Sequence, residues 1–329
     1  MYDSTKPYKE QVIALTEKTW KNKYLSVRKG IYATFKKRFL YSFLHWLIGV
    51  REVDHTDGEG TKGEYHWKQR TFYNDVLDVL GMNFNDMLLA RAKPYKLQDH
   101  IVLPEDDPQA IIEIMQAMSE ECSKRKIVIT GGETSIHNNI KGMEISMTVS
   151  GFIIPKFPYF FRKPKPNKFK LGDVLVGLRS NGLHSNGFTK VREVFGEEFR
   201  PEFVEPTKIY LDDIIKLERK YDIHGMMHIT GGAFTKLKGV LTESLDVIIH
   251  KNHSLEPQPI FDELYKRGVS DEEMYKTFNC GIGFVLGVSK RDAKKIVSKL
   301  DYADVIGEVK QGSGKIIIDS MFSNKQIEY

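Results

Sequence analysis

The stretch HTDGEGTKGEYH, residues 55–66, sets Asp57, Glu59 and Lys62 among Gly58, Gly60 and Gly63, with Thr56 and Thr61 between them. Carboxylates beside hydroxyls are ligands for a hard cation, and Mg²⁺ takes one or two such groups together with phosphate oxygens. Lys62 adds a point charge suited to neutralising phosphate. The segment is not a P-loop, because the spacing G-x-x-x-x-G-K-[ST] occurs nowhere in the chain. The plain alternative is a charged surface turn.

A second stretch, SNGLHSNG at 180–187, gives Ser-Asn-Gly twice around Leu183 and His184. It follows the apolar run Val174 to Leu178. It precedes Phe188, Val191, Val194 and Phe195 at helical spacing, so it bridges a strand and a helix. Gly182 and Gly187 can adopt positive φ, and Asn tolerates it better than most residues. Such turns converge backbone N–H groups, a helix N-terminus adds donors and partial positive charge, and that geometry holds phosphate. His184 brings a proton donor or a charge. Alone, the eight residues also read as an ordinary tight loop.

A third signal is an echo. ITGGETS (129–135) and ITGGAFT (229–235) each read as a strand ending in a Gly-Gly turn with a hydroxyl residue beyond. Glu133 and Thr134 then sit on a turn suited to phosphate or metal, or on a simple connection. Thr71 to Arg91 reads as a helix with an apolar face of Phe72, Val76, Val79, Leu80 and Met87. On it, Asn85-Asp86 lies within an apolar run, whereas Asp75 and Asp78 read as ordinarily exposed. Other candidates carry less. GIGFVLG (281–287) has the wrong final spacing for a dinucleotide fingerprint and reads as a strand. GSG at 312–314 reads as a hairpin turn before an isoleucine strand. His224 and His228 have zinc-helix spacing, but Gly225 and Gly231-Gly232 argue against a metal pair.

The elements that must position these residues alternate between strand-like and helix-like segments, which points to an α/β (α+β) architecture. Asp107-Pro108 marks a helix start, with the helix ending near Lys126 before the strand Ile127-Val128-Ile129. Glu144 to Val149 alternates like a half-buried strand, and Ser289 to Leu300 reads as a helix. At 329 residues the prior is two domains. The best boundary is the proline-rich, basic run within 154–170. It gives an N-terminal domain over 1–155, a linker over 156–170 and a C-terminal domain over 171–329.

Composition bounds the function only loosely. A net charge of +5 suits an anionic small substrate as well as nucleic acid. Two distant cysteines, Cys122 and Cys280, make a disulfide framework improbable and fit a reducing compartment. The N-terminus shows no signal peptide, and the greasiest stretch, Phe39 to Val50, falls short of the about 20 apolar residues that span a bilayer. A cytoplasmic protein without membrane contact is expected. Arg162, Lys163, Lys165, Lys168 and Lys170, interleaved with Phe157, Tyr159, Phe160 and Phe161, resemble a single-strand binder's pattern, but this run is read as linker, so nucleic acid is not the expected partner.

Taken together, TDGEGTK, NFNDMLLARAKP, TGGETS, GDVLVGLRSNGLHSNG, EPTKIY, MMHITGGA and EMYKTFNCGIGFVLGV occur in an order that resembles the aminoimidazole ribonucleotide synthetase (phosphoribosylformylglycinamidine cyclo-ligase) family, from about residue 50 to the end. The resemblance implies ATP-dependent closure of formylglycinamidine ribonucleotide to aminoimidazole ribonucleotide, ADP and phosphate, with ATP and Mg²⁺ as cofactors. It implies a two-domain synthetase fold. The N-terminal halves pair as a homodimer around a shared β-barrel, and the C-terminal half is a sheet covered by helices. Carried over by motif, Asp57 and Asp86 are metal ligands; Gly60, Thr61, Lys62, Glu133, Thr134, Asn186 and Gly187 bind the nucleotide and its phosphates. His184 and His228 are placed for substrate binding or proton transfer, and Gly231, Gly232 and Lys236 for substrate binding. Two departures mark a divergent branch. The aromatic, basic segment 35–50 replaces the usual glycine-rich one, and Ala233-Phe234-Thr235-Lys236 replaces a third glycine and a Glu-Asn pair. A related ATP-dependent kinase or synthetase of the same fold is the alternative. The selenophosphate branch is disfavoured because no cysteine precedes Cys122, and the hydrogenase-maturation branch because the chain ends without one.

Overall fold

The computed structural model of the chain describes residues 8–21, 25–28, 32–35, 51–153 and 165–329. Most of the aromatic, basic segment (36–50) lies outside the described residues, as do 154–164, with Arg162 and Lys163 of the basic run. The chain divides into two units, Met1–Pro164 and Lys165–Tyr329.

In the first unit the order is α1 (Lys9–Thr19), β1 (Leu25–Arg28), β2 (Tyr32–Phe35), β3 (Arg51–Gly58), α2 (Gly63–Gln69), α3 (Phe72–Leu89), β4 (Ala92–Leu103), α4 (Pro108–Arg125), β5 (Val128–Ile136) and β6 (Glu144–Ile153). The four-stranded sheet runs β3-β6-β4-β5, with β5 parallel to β4 and the other pairs antiparallel. The parallel pair needs a crossover, and α4 supplies it. Asp107 caps α4 as its spacing predicts: Oδ1 accepts from Ala110 N at 3.0 Å with proline at the first turn. Lys126, at φ 60°, ends the helix in a left-handed turn.

Helix α3 runs through Gly81 without a break and is buried on nearly every side. Phe72, Val76, Val79, Leu80, Phe84, Met87 and Leu88 join the core, and so do Asp75, Asp78, Asn83 and Asn85. The reading of Asp75 and Asp78 as exposed is therefore corrected: both are 0 % exposed. A helix buried on all sides cannot segregate its charges to water. Helix α1 covers β5 and α4, where Trp20 Nε1 donates to Ile129 O at 2.7 Å and Ser119 Oγ to Leu15 O at 2.8 Å.

The second unit holds β7 (Val174–Arg179), α5 (Phe188–Phe195), α6 (Leu211–Lys220), β8 (Gly225–His228), β9 (Leu245–Ile249), α7 (Pro259–Lys266), α8 (Asp271–Thr277), β10 (Ile282–Val288), α9 (Lys290–Val297), β11 (Ala303–Gln311), β12 (Ile316–Asp319) and β13 (Gln326–Glu328). Its seven-stranded sheet runs β13-β12-β9-β11-β7-β10-β8. GIGFVLG is indeed a strand, and every residue of β10 is buried. Ser289 caps α9 by accepting from Asp292 N at 3.2 Å. Helices on this sheet agree with the expected C-terminal architecture.

Among the described residues no sheet closes on itself within one chain; the expected barrel is one shared between two copies. Two expectations need correction. TGGETS is not a turn: Gly131, Gly132, Glu133 and Thr134 all lie inside β5, paired with Gln98 to Ile101 just past a register shift. Gly132 serves close approach instead, because a Cβ there would stand 2.2 Å from Asp99 Oδ1. GSG is not a hairpin turn, because β11 and β12 both flank β9 and do not pair with each other. The connection is held by Asp246, whose Oδ1 accepts from Ser313 N and Lys315 N, each at 2.8 Å.

Candidate active site

In the N-terminal unit, period-2 alternation puts His55 and Asp57 on the same face of β3, the face that α3 covers. Asn83 ties the two elements together. Its Nδ2 donates to Asp57 O and to Val79 O, each at 3.0 Å, and its Oδ1 lies 3.2 Å from His55 Nδ1. One turn further along α3, Asp86 reaches His55, with Oδ2 at 3.7 Å from Nε2. Ligand atoms of His55, Asp57 and Asp86 thus lie within 4.8 Å of one another, each residue half-buried. Asp57 and Asp86, far apart in sequence, are brought together as expected. The sequence reading missed His55, although its place two residues before Asp57 in a strand was the signal.

The 3₁₀ turn Gly60–Lys62 follows β3, with Gly60 exposed at φ 64°. Lys62 is 0 % exposed, and its Nζ sits 2.7 Å from Asp78 Oδ2. In this arrangement the ammonium expected at phosphate is engaged by a buried carboxylate. His66 Nε2 approaches the same Asp78 oxygen at 2.9 Å and Asp75 Oδ1 at 3.7 Å, while Nδ1 meets Thr71 Oγ1 at 2.8 Å. Burial works to raise Asp78, but Lys62 and His66 outweigh it and hold it well below the usual carboxylate range. Burial pushes Asp75 up to about 7, against the pull of His66. Burial, with Asp75 adding, also raises Glu59, whose Oε1 accepts from Ile145 N at 2.7 Å.

In the C-terminal unit the sheet explains why distant motifs meet. β7 and β8 are each antiparallel to β10, so they run the same way and end at the same side. The loops that leave them, 180–187 and 229–232, therefore emerge one strand apart, with residues 279–281 leading into β10 between them. Asn186 Oδ1 would lie 3.4 Å from a Cβ on Gly231, so the two glycine loops touch. Gly187, at φ 77°, caps α5, and a side chain there would run into Phe278 at 2.3 Å. Asn186 Nδ2 is buried without a hydrogen-bond partner among the described residues. Gly232, at φ 84°, begins the 3₁₀ turn Ala233–Gly239, and Lys236 Nζ donates to Thr230 Oγ1 at 2.5 Å. TGGAFT is thus the strand-to-turn element that TGGETS is not.

His184 and His228 stand with ring centroids 6.4 Å apart, both 0 % exposed. His228 stacks on Phe284 at 5.8 Å. His184 sits at φ 59°, so the doubled turn bends through a non-glycine left-handed residue. Its Nε2 faces the backbone N–H of Asn181 at 3.3 Å and of Lys208 at 3.4 Å. Two donors aimed at one ring nitrogen require it to be the acceptor, which leaves the proton on Nδ1. In this arrangement His184 offers Nδ1–H as a donor. Gly283 makes room for the pair, because a Cβ there would stand 2.1 Å from Tyr210 Oη and 2.6 Å from His184 Cε1. Asn279 pins the loop. Its Nδ2 donates to Gly182 O at 2.7 Å, and its Oδ1 accepts from Ser180 Oγ at 2.8 Å and Gly281 N at 3.0 Å. Tyr210, Asn279 and Gly283 were not singled out from sequence.

Comparison with known proteins agrees with this layout. The family model "AIR synthase related protein, N-terminal domain" matches residues 55–153, and "AIR synthase related protein, C-terminal domain" matches 170–320. Curated phosphoribosylformylglycinamidine cyclo-ligases from Methanococcus vannielii and Clostridium perfringens are each 35% identical, over 83% and 81% of this chain and 80% and 83% of theirs. That of Saccharolobus solfataricus is 33% identical over 89% of this chain and 91% of its own. Among solved structures, E. coli HypE aligns over 98% of this chain and 96% of its own with a TM-score of 0.67 and 16% identity, a likeness of fold. The hydrogenase maturation protein HypE solved in complex with ATP aligns over 99% of this chain and 95% of its own, at 0.61 and 13%. The chain belongs to the AIR synthase family and, within it, groups with the phosphoribosylformylglycinamidine cyclo-ligases.

Proposed function

We propose that the chain is an ATP-dependent ligase that closes formylglycinamidine ribonucleotide to aminoimidazole ribonucleotide, with ADP and phosphate as products, in purine biosynthesis. The observation that carries this reading is 35% identity to cyclo-ligases over 83% of the chain. ATP use is further supported by the shared fold of the HypE structure bound to ATP.

The formamide oxygen is a poor leaving group until it takes the γ-phosphoryl group of ATP. The amidine nitrogen then attacks the activated carbon, a C–N bond forms, the C–O bond breaks with loss of phosphate, and the nitrogen gives up a proton. Asp57 and Asp86 fit a hard divalent cation: their two carboxylates converge at a half-buried, accessible place, with His55 alongside as the neighbour of Asp86. Mg²⁺ held there by the two carboxylates would supply charge neutralisation for the triphosphate. Gly60, Thr61, Glu133 and Thr134 are assigned to nucleotide contact. Thr134 supports this, since its buried Oγ1 has no hydrogen-bond partner among the described residues. The α5 N-terminus with Asn186 and Gly187 orients a phosphate group, and Gly231, Gly232 and Lys236 border the same place. His184 Nδ1–H donates to a substrate heteroatom, and His228 handles the proton released at ring closure. The chain is assigned to the cytoplasm and to a homodimer formed through the N-terminal unit.

The test is ADP formation with ATP, Mg²⁺ and formylglycinamidine ribonucleotide. Asp57→Asn and Asp86→Asn are expected to abolish it while leaving the thermal unfolding midpoint near that of the parent. Near-normal turnover in both would remove the metal assignment. Wild-type protein that forms no aminoimidazole product would remove the reading itself.

A further inference from the structure

The N-terminal unit contains a second convergence of metal-type ligands that the proposed reaction does not use. Atoms of His66, Asp75 and Asp78 lie within 4.8 Å of one another, and all three residues are buried. They come from α2 and from two positions one turn apart on α3, so the backbone fixes their spacing. The half-exposed group of His55, Asp57 and Asp86 is a different place, eight residues further along α3.

Two observations point beyond an internal ion pair. Both oxygens of Asp75, and Oε2 of Glu59, are buried without a hydrogen-bond partner among the described residues. Protonating Asp75 does not satisfy it, since a carboxylic O–H also needs an acceptor and His66 Nε2 stands 3.7 Å away. The second is charge. Asp75, Asp78 and Glu59 set three buried carboxylates against one ammonium, that of Lys62, 2.7 Å from Asp78. Ionised together beside a neutral imidazole they would leave the cluster two charges negative, which is why burial raises Asp75 and Glu59; a bound cation would let them ionise. His66 is set for ligation: Thr71 engages Nδ1 at 2.8 Å and Nε2 points at the carboxylates. Nε2 and Asp78 Oδ2, 2.9 Å apart, need a proton or a cation between them. A proton answers that contact alone; a cation also answers Asp75 and the charge.

We propose that His66, Asp75 and Asp78, with Glu59 beside them, hold a buried divalent metal ion of the zinc class that has a structural role. Imidazole with carboxylates suits zinc and its neighbours better than Mg²⁺ or Ca²⁺, which prefer all-oxygen sets. Separations of 2.9 and 3.7 Å from Nε2 are those of atoms that share one ion at about 2.0–2.2 Å each. Full enclosure marks a closed, structural site rather than one with a position open to substrate.

The experiment uses the full chain purified from cells grown with added zinc, dialysed against metal-free buffer, with bound metal measured by elemental analysis. About one zinc-class ion per chain is expected. Asp86→Asn, which disables the other group, should retain it. Asp75→Asn and His66→Gln should lose at least about tenfold in occupancy. A chelator should lower the thermal midpoint of the parent protein. Should those two variants fail to fold, Co²⁺ substitution of the parent decides: visible d–d absorption that persists in Asp86→Asn supports the site. Its absence overturns the proposal, as does a folded parent protein with less than about a tenth of an ion per chain, or equal retention by folded Asp75→Asn.

Discussion

The amides of Asn181 and Lys208 both face His184 Nε2, so in this arrangement the side chain offers its Nδ1–H as the donor. His228, stacked on Phe284 and 6.4 Å from His184, is the group assigned to moving a proton. His228→Gln is expected to slow aminoimidazole formation by roughly 10²- to 10⁴-fold, with a circular dichroism spectrum like the parent's. A folded variant with an unchanged rate would make His228 a packing residue. At this scale the residues that converge, Asp57 with Asp86 and His184 with His228, were legible as candidates because their types stand out in their motifs. The misreadings share one cause. Asp75 and Asp78 look exposed when their segment is read alone, and the partners that let them be buried, His66 and Lys62, come from other elements. Pairing across elements has no period in the sequence.

Elements were legible where local physics decides them. The Asp107 cap, the Ser289 cap and the apolar spacing of α5 each fix a boundary without help from the rest of the chain. TGGETS and GSG failed because the sheet overrode local turn chemistry: β5 extends through its two glycines, and the chain at GSG crosses β9 instead of turning back. The 180–187 loop depends on Asn279 in the same non-local way. Asn279→Ala is expected to cost roughly 1–3 kcal/mol, because Ser180 and Gly182 O lose buried partners. The Michaelis constant for the ribonucleotide should rise more than turnover falls, as the phosphate-orienting loop loosens. Equilibrium unfolding and steady-state kinetics check both parts. Helix α4 carries a pH term. Burial acts to raise Glu121, but hydrogen bonds from Lys124, Tyr73 and Arg125 outweigh it and bring it from 4.5 to about 2. The folded form thus binds this proton less readily than the unfolded chain. The stabilisation is complete above pH 4.5 and is lost as pH falls toward 2. Glu121→Gln should lower the urea midpoint at pH 7 and flatten its decline between those two values; an equally steep decline would assign the acid sensitivity elsewhere.

At the scale of the molecule, one face of the four-stranded sheet in the N-terminal unit is exposed among the described residues. Glu52, Asp54 and Thr56 on β3, Thr148 on β6 and Gln98 and His100 on β4 are exposed there, and Thr56 and Thr148 meet hydroxyl to hydroxyl at 2.9 Å. An open sheet presents unpaired edges and one uncovered face, and closing it against a second copy removes both. The proposed homodimer uses this face. Its polarity agrees with the way non-obligate interfaces resemble the rest of a protein surface, and a stable pair needs about 1,000 Å² or more buried. Light scattering on the full chain should therefore give twice the mass of one chain. Thr148→Arg, which sets a long cation at the centre of the exposed strands, should shift the population to single chains. It should do so without lowering the unfolding midpoint of the separated chain, because Thr148 contributes nothing to the buried core. ADP formation measured on the same samples then tells whether the site is complete within one chain. Activity that falls with the dimer fraction means that the second copy contributes. A parent protein that runs as a single chain at every concentration, with full activity, would mean that the exposed sheet face is an ordinary solvated surface.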